Sequence, residues 1–236
     1  MKQFLKLVFL IAIIAIFFSG CFSSKSYDEA PLAWEFYPAN LEKPGAAIEN
    51  VIFFAVNRQY AKGSVTNSSG KILYESSLTP ATYEQLSMAL ASSDDKKQNL
   101  PAAAYTMTFN YEGAEYTDEK QMDWVEIPSF KSGVTFMPPQ EPANTVSFTF
   151  SGLNYKGSLK VYYRILLFYR QASGYRLYAH SRRQSEASYI SMNMPSSFNM
   201  SQGNTELIPV LQAELIDENG KVVAGVLREE EYFINN

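Results

Sequence analysis

Few residues in this sequence could carry nucleophilic or metal chemistry. The 236-residue chain has one cysteine, Cys21, and one histidine, His180. A structural zinc site needs four ligands drawn mostly from these two residue types, so we predict no metal site and no bound cofactor. A Ser-His-Asp triad would have to use His180, which lies in the strand-like run RLYAHSRR without a Gly-x-Ser-x-Gly elbow. We interpret His180 as an exposed strand residue.

Paired carboxylates are the remaining candidates for catalysis. Glycoside hydrolysis uses two carboxyl groups about 5–9.5 Å apart. Trp34 and Trp124 could stack on sugar rings, although a tryptophan in a β protein more often packs in the core. Carboxylates near turns are usually solvated, so we predict a protein that is not an enzyme and keep an envelope glycan hydrolase as the alternative. The candidate acidic groups are Glu112 with Glu115, Asp118 with Glu119, and Glu229, Glu230 and Glu231.

A basic segment departs from the rest of the composition. No acidic residue occurs from Pro142 to Ser185, whereas the segment from Glu186 to the C-terminus is strongly acidic. Within the basic segment, apolar and basic or aromatic residues alternate on either side of a turn at Ala172-Ser173-Gly174, which predicts a β-hairpin. The basic residues are Lys156, Lys160, Arg164, Arg170, Arg176, Arg182 and Arg183.

The loop length of this hairpin decides which residues share a face. A three-residue loop pairs Gln171 with Tyr175 and leaves one face wholly apolar, and burial favours that register. A four-residue loop would instead pair Arg170 with Tyr175. The basic-aromatic face is then either neutralised by the acidic C-terminal strands or used to contact a partner. The candidate partner-binding residues are Arg164, Arg170, Arg176, Tyr178 and Arg182.

The pattern of the remaining sequence predicts a mainly β fold of antiparallel, immunoglobulin-like β-sandwich modules. Aromatic residues make up 14% of the chain, and many alternate with polar residues as half-buried strands require. Strands are predicted at 51–56, 105–111 and 146–150. Asn219-Gly220 predicts a hairpin with a two-residue type I′ turn, pairing Ile216 with Val223. The apolar face of this hairpin comprises Leu211, Ala213, Leu215, Val222, Ala224 and Val226.

One helix is expected near 79–92, where Pro80 suits a first turn and Thr82 and Gln85 have capping-box spacing. The proline-rich stretch 137–144 cannot lie in a central strand and indicates a boundary. It would divide a β-rich domain at 45–137, which contains the helix, from a β-sandwich domain at 145–236. One larger sandwich with a proline-rich loop is the alternative.

The N-terminal segment explains the position of the lone thiol. Lys2 and Lys6 precede an apolar run, 7–18, that is too short to span roughly 30 Å of hydrocarbon. The run Phe18-Ser19-Gly20-Cys21 resembles the lipobox of bacterial lipoproteins, with Phe18 in place of the usual aliphatic residue. This resemblance covers residues 1–21 and implies cleavage of a signal peptide at 1–20 and lipid on Cys21. The polar, small residues that follow predict a lipid-anchored tether at 21–44.

Charge and anchor together bound the function. The chain has 20 basic and 24 acidic side chains, so it is not a general nucleic-acid binder. In the sorting pattern of lipoproteins, Phe22 rather than Asp after the cysteine favours the outer membrane. We therefore predict a lipid-anchored lipoprotein of a bacterial cell envelope that binds a protein or cell-wall partner. The oligomeric state does not follow from the sequence.

Overall fold

Strands make up the regular structure of the part of the chain described by the computed structural model, which covers residues 32–57, 60–78, 87–91, 100–139, 144–171, 174–185, 187–194, 206–230 and 232–233. Within these ranges there is no helix. The strands are β1 (Trp34–Glu42), β2 (Glu49–Val56), β3 (Tyr60–Asn67), β4 (Ile72–Leu78), β5 (Ser87–Ala91), β6 (Ala103–Tyr111), β7 (Ala114–Met122), β8 (Thr135–Met137), β9 (Thr145–Thr149), β10 (Lys160–Gln171), β11 (Gly174–His180), β12 (Gln184–Ser185), β13 (Tyr189–Asn193), β14 (Glu206–Ile216), β15 (Val222–Glu229) and β16 (Tyr232–Phe233).

These strands form three sheets. The large sheet has the order β11-β10-β14-β15-β1-β2-β5, with β12 paired to β10 and β16 paired to β14. A three-stranded sheet has the order β13-β9-β8, and a four-stranded sheet has the order β4-β3-β6-β7. Every pairing is antiparallel except that of β1 with β15. The prediction of a mainly β protein is confirmed.

The two edge strands of the large sheet, β11 and β5, contact each other, which shows that this sheet is curled. Its inner face is apolar over most of its length and gathers side chains from β1, β2, β10, β11, β14 and β15 into one buried cluster. The period-2 alternation of each strand puts these residues on one side. Among the largest members are Tyr37, Phe53, Leu166, Phe168, Leu177, Ile208 and Leu227.

The outer face of the large sheet is covered as well. The opposite side of β10, β14 and β15 packs with the three-stranded sheet in a second buried cluster, which includes Phe148 of β9 and Ile190 of β13. From Tyr163 to Phe168 the strand β10 is therefore buried on both faces, with Ile165 in the outer cluster and Leu166 in the inner one. The basic-aromatic face predicted for this hairpin is not exposed along this part of β10, since Arg164 and Leu166 on that face are buried.

The predicted helix near 79–92 is absent where the structure describes the chain. Residues 87–91 form β5, which pairs with β2 from Val56↔Ser87 to Ile52↔Ala91. The remainder of the prediction, 79–86 and Ser92, lies outside the described residues. Tertiary pairing with a buried strand overrides the weak local preference for a helix, which is worth less than 1 kcal/mol per residue.

The C-terminal hairpin has the predicted register but a different turn. The pairs from Val210↔Glu229 to Leu215↔Ala224 follow the expected alignment, and a bulge then pairs Ile216 with Val222. Gly220 has a φ of 80°, whereas Asn219 has no positive φ, so the turn is not type I′. The Asp217 carboxylate accepts hydrogen bonds from the N–H groups of Asn219 (3.0 Å) and Lys221 (2.8 Å), and thereby closes a longer turn.

The bulge also changes which face Val222 occupies. Val222 joins the inner cluster, whereas Leu211, Ala213, Leu215 and Val226 lie in the outer cluster as predicted. A one-residue insertion in one strand reverses the direction of the side chains that follow it. The type I′ geometry is found elsewhere, at Glu112 (φ 49°) and Gly113 (φ 81°), between β6 and β7.

The predicted division of the chain does not coincide with a division of sheets. Residues 33–236 form one compact unit. Ala39 of β1 pairs with Gly225 of β15, so the large sheet crosses the boundary expected at 137–144. Residues 34–42, assigned from sequence to the tether, form β1 between β2 and β15. Pro38 lies within this strand and directly precedes Ala39, the first residue of the parallel ladder.

Candidate functional site

The inner face of the large sheet ends in a polar group of side chains, which we call the Glu214 cluster. Its members continue the alternation that fills the inner apolar cluster: Glu35 and Tyr37 on β1, Arg164 on β10, and Gln212 and Glu214 on β14. Arg183 joins them from the segment between β11 and β12. The cluster is Glu35, Tyr37, Arg164, Arg183, Gln212 and Glu214.

The carboxylate of Glu214 is the centre of the cluster and is fully buried. Its Oε1 accepts hydrogen bonds from Arg164 Nη2 (2.8 Å) and Tyr37 Oη (3.1 Å). Arg183 donates from Nε to Oε2 (2.5 Å) and from Nη2 to Oε1 (3.1 Å). Four donated hydrogen bonds, three of them from guanidinium groups, compensate the burial of the negative charge.

Tyr37 connects the charged groups to the apolar interior. Gln212 Nε2 donates to Tyr37 Oη (2.7 Å), and the Tyr37 ring stacks on Phe53 with centroids 4.8 Å apart. Gly225 lies beneath the ring, since a Cβ there would be 2.8 Å from Tyr37 Cε2. Burial, with the nearby charges of Glu214 and Glu35, raises the pKa of Tyr37 well above 10.0. The phenol therefore stays protonated and donates to Glu214.

Arg183 lies at the solvent side of the cluster. Ser181 fixes the segment that carries it: Ser181 N donates to Ile165 O (2.9 Å), and Ile165 N donates to Ser181 Oγ (2.8 Å). The Arg183 side chain is 35% exposed and also pairs with Glu35. Burial lowers the pKa of Arg183, but the hydrogen bonds and charges of Glu214 and Glu35 outweigh burial and raise the pKa overall.

The charges of the cluster balance. Arg164 Nη2 lies 3.5 Å from Glu35 Oε2, in addition to its bond with Glu214. Two guanidinium groups therefore face two carboxylates, Glu35 and Glu214. The hypothesis that acidic C-terminal strands neutralise the basic row is confirmed for Arg164, because Glu214 belongs to β14.

A cavity of about 320 Å³ opens beside the cluster, and we call it the Trp34 cavity. The start of β1, the end of β2, Asp118 of β7 and the turn before β15 form its walls. The Trp34 indole Nε1 donates to Asp118 Oδ2 (3.1 Å). The polar and aromatic lining includes Trp34, Glu35, Asn57, Asp118, Arg183 and Lys221.

Two contacts hold β7 in place against β1 at this cavity. The alternation of β7 directs Asp118 and Lys120 inward, whereas Glu119 is exposed. Lys120 Nζ donates to Phe36 O (3.2 Å). Burial lowers the pKa of Lys120, and the positive charge of Lys221 lowers it further. The bond from Lys120 and the bond from Trp34 to Asp118 thus fix the cavity wall.

The predicted partner-binding residues do not form one surface in the described part of the chain. Arg164 is 5% exposed and paired inside, so it does not belong to a proposed contact surface. Arg182 is exposed, and Tyr178 is half-buried against the outer cluster. Arg170 lies in β10 and Arg176 in β11, but the structure does not describe their side chains. Cys21 lies outside the described residues.

The basic hairpin combines both registers considered from sequence. Near the turn Arg170 pairs with Tyr175, and Gln171 with Gly174. After an irregularity between Leu167 and Phe168, the pairs Leu167↔Ala179 and Leu166↔His180 follow the register that burial favoured. The three-residue loop would place Arg170 opposite Arg176, but Arg176 pairs with Tyr169 instead. The irregularity thus keeps the buried end of the hairpin in the register that burial favoured, although the turn is shorter than the predicted three-residue loop.

The other candidates for chemistry do not converge. Glu112, Glu115 and Glu119 are exposed, and Glu230 pairs with Arg228. His180 is half-buried, with Nδ1 3.0 Å from Ser181 O, rather than exposed. Among the described residues, no group of three or more His, Cys, Asp or Glu side chains could hold a metal ion.

The two tryptophans have different environments. Trp124 is 6% exposed, and its Nε1 lies within hydrogen-bonding distance of Ala39 O (3.1 Å) and Val51 O (3.0 Å), so it is a structural residue. Trp34 is 37% exposed at the cavity.

Sequence reasoning missed the partners of Arg164. Gln212 and Glu214 interrupt the apolar run LIPVLQAELI of β14, and a polar pair within such a run was the available signal. Glu35 was assigned to the tether and received no role. Tyr37 was missed for the same reason.

Comparison with known proteins finds only distant structural similarity. No protein-family model and no curated protein matches this sequence. A chain of a cytokine receptor complex has 8% identity and a TM-score of 0.29, covering 84% of this chain and 95% of that chain. The BSP domain of a biofilm-associated protein has 8% identity and a TM-score of 0.29, covering 87% of this chain and 30% of that chain.

Escherichia coli alpha-2-macroglobulin activated by porcine elastase has 14% identity and a TM-score of 0.29, covering 86% of this chain and 20% of that chain. TM-scores of this size do not establish a shared fold. Within the described ranges, no helix is long and apolar enough to cross a membrane.

Proposed function

We propose that this protein is a lipid-anchored, non-enzymatic binding module of a bacterial cell envelope, with the outer membrane favoured as its location. The observation that carries the binding role is the half-exposed Trp34, which is held in place at a cavity whose main charged groups are paired with one another. Fixed aromatic side chains at the surface are typical of binding sites.

The carboxylates next to the cavity favour binding over hydrolysis. Glu214 accepts four hydrogen bonds, and Glu35 is paired with Arg183 and lies 3.5 Å from Arg164. A glycosidase needs one carboxyl group to deliver a proton and the other to act as a base or nucleophile. Carboxylates engaged by guanidinium groups serve the fold instead.

The β architecture is of the kind that many surface-binding domains share. We propose that the three-stranded sheet and β10, β14 and β15 form an immunoglobulin-like sandwich. The apolar layer between them, with Phe148 and Ile190 on one side and Ile165 and Leu211 on the other, supports this arrangement. Arg182, which is exposed near this region, remains a proposed contact for a protein or cell-wall partner. Arg170 and Arg176 remain proposed contacts from the sequence alone.

The anchor is tested by replacing the thiol. Cys21→Ser should release the protein from membranes or leave the signal segment uncleaved, because a single serine cannot carry the thioether-linked lipid. Phase partitioning into detergent, with immunoblotting for size, measures both outcomes. Ser24→Ala, a matched change in the same polar stretch, is the control and should leave partitioning unchanged. Unaltered partitioning of Cys21→Ser would refute the anchor.

The binding role is tested by crosslinking in intact envelopes followed by mass spectrometry of the captured material. Arg182→Gln should lower the yield of a specific crosslinked partner if the exposed basic residues contact it. Lys131→Gln, an exposed basic residue on a different segment, is the control. Equal capture by both variants and the unmodified chain would contradict a role for Arg182.

A further inference from the structure

We propose that the Trp34 cavity binds a neutral saccharide, with the Trp34 indole as the stacking surface and the surrounding polar groups as hydrogen-bonding partners for hydroxyl groups. This inference deepens the proposed binding function and rests on it. The position of the indole, the charge of the cavity walls and the size of the cavity support it.

The indole of Trp34 is held rigidly and yet remains accessible. Its Nε1 bonds to Asp118, and its ring contacts Phe109 at 5.6 Å and Tyr116 at 6.0 Å between centroids. Phe109 and Tyr116 stack on each other at 5.2 Å, which gives the indole a firm support. With these contacts made, 37% of Trp34 is still exposed. A sugar ring has an apolar face of C–H groups, and a fixed aromatic surface accommodates it with little loss of entropy.

The charge of the walls favours a ligand without net charge. Arg183 and Arg164 are paired with Glu35 and Glu214. The two remaining ionised groups of the lining, Asp118 and Lys221, have opposite signs. A phosphate or a carboxylate ligand would have to compete with Glu35 for Arg183. Hydroxyl groups can instead accept from the guanidinium and donate to the carboxylate oxygens without separating the pair.

The size of the cavity agrees with a small ligand. A volume of about 320 Å³ lies at the lower end of the range for ligand sites, about 300–1,000 Å³. Such a volume suits one or two sugar rings of a longer chain. A single indole with a few polar groups is a modest set of contacts, so we expect weak affinity that repeated units of a glycan would increase.

The test is titration of the full chain in detergent with two neutral saccharides, N,N′,N″-triacetylchitotriose and maltotriose, and with inorganic pyrophosphate as the anionic probe. Isothermal calorimetry measures affinity, and tryptophan fluorescence reports on the indole. We expect saturable binding of at least one saccharide, with an affinity that changes little between low and high salt because the ligand is neutral. Trp34→Ala should weaken it at least about tenfold, as loss of an aromatic stacking surface does for bases.

Two further variants keep the result interpretable. Tyr189→Ala removes an aromatic residue that is 53% exposed on β13, away from the cavity lining, and should leave the affinity unchanged. Trp34→Phe retains an aromatic ring against Phe109 and Tyr116, and it replaces Trp34→Ala in the test if Trp34→Ala does not fold. It should retain only part of the saccharide affinity. No saturable saccharide binding, binding of pyrophosphate alone, or undiminished binding by a folded Trp34 variant would overturn the proposal.

The same titration separates this inference from the proposed function. Chromatography of the saccharides after incubation detects cleavage. Trp34-dependent binding without cleavage supports both statements. Trp34-dependent binding with cleavage supports the saccharide site and contradicts the non-enzymatic role. If no saccharide binds but an Arg182-dependent partner is crosslinked, the saccharide site is contradicted. The proposed function as a binding module then still stands.

Discussion

The most specific prediction about stability concerns Glu214, whose carboxylate is fully buried. Glu214→Gln removes one negative charge from between two guanidinium groups and leaves the side-chain volume almost unchanged. Among the described residues, Arg164, which is 5% exposed, would then have only Glu35, at 3.5 Å, as a charged partner. Breaking a buried ion pair by removing one partner costs about 3–5 kcal/mol. Because Glu35 remains, we expect a loss at the lower end, about 3 kcal/mol.

Urea unfolding and thermal unfolding of the full chain in detergent measure this loss. For chains of this size, 1 kcal/mol shifts the melting temperature by about 2–4 °C, so the expected decrease is about 6–12 °C. The urea midpoint should fall while the slope stays constant, since the surface exposed on unfolding does not change.

The matched control is Glu230→Gln. Glu230 pairs with Arg228 at 3.0 Å, but both side chains are 20–25% exposed. A solvent-accessible pair of this kind contributes about 0–1 kcal/mol. If Glu214→Gln and Glu230→Gln lowered stability equally, by less than about 1 kcal/mol, the reasoning from burial would be refuted.

Three further predictions concern the same sheet. Burial raises the pKa of Tyr37 above 10.0, so the unfolded chain loses this proton above about pH 10 while the folded chain keeps it, and stability falls as pH rises. Tyr37→Phe should be less stable near neutral pH, and urea unfolding should show the difference narrowing above about pH 10; a constant difference would contradict the raised pKa. Gly220→Val should lower the melting temperature, at a cost of about 1–2 kcal/mol, because Gly220 has a φ of 80°. Asn219→Val is the control and should lower the stability less than Gly220→Val. In a type I′ turn, both positions would have positive φ and the two substitutions would not differ in this way. Gly225→Ala places a Cβ 2.8 Å from the Tyr37 ring and should cost about 1–3 kcal/mol by thermal unfolding, whereas an unchanged melting temperature would mean that the ring moves freely.

Local pattern predicted several strands and one register correctly. Val51 to Val56 forms a buried strand, and the pairing of β14 with β15 follows the alignment expected from the sequence up to Leu215. These features depend on period-2 alternation and on a nearby turn, and both can be read from neighbouring residues. The turn type was not predicted correctly, because the Asp217 side chain bonds two backbone N–H groups and so stabilises a longer turn.

The candidate site depended on contacts between distant parts of the sequence. Glu214 and Arg164 are 50 residues apart, and Trp34 and Asp118 are 84 apart. Composition indicated a basic row that was either neutralised by acidic strands or used to contact a partner, but not which of its residues would be inside. That choice followed only from the tertiary arrangement, in which the inner cluster of the large sheet and the three-stranded sheet on its outer face bury β10 on both sides from Tyr163 to Phe168.

What the sequence determined by itself is the β character of the chain, the alternation within each strand and the scarcity of groups for metal or nucleophilic chemistry. These properties reside in residue types and in spacings of a few positions. The tertiary structure alone decided that 34–42 is a central strand, that 87–91 is a strand, and that Arg164 is buried while Trp34 is exposed. The physical reason is that burial and ion pairing belong to pairs of segments, and their energies exceed the local preferences of either segment alone.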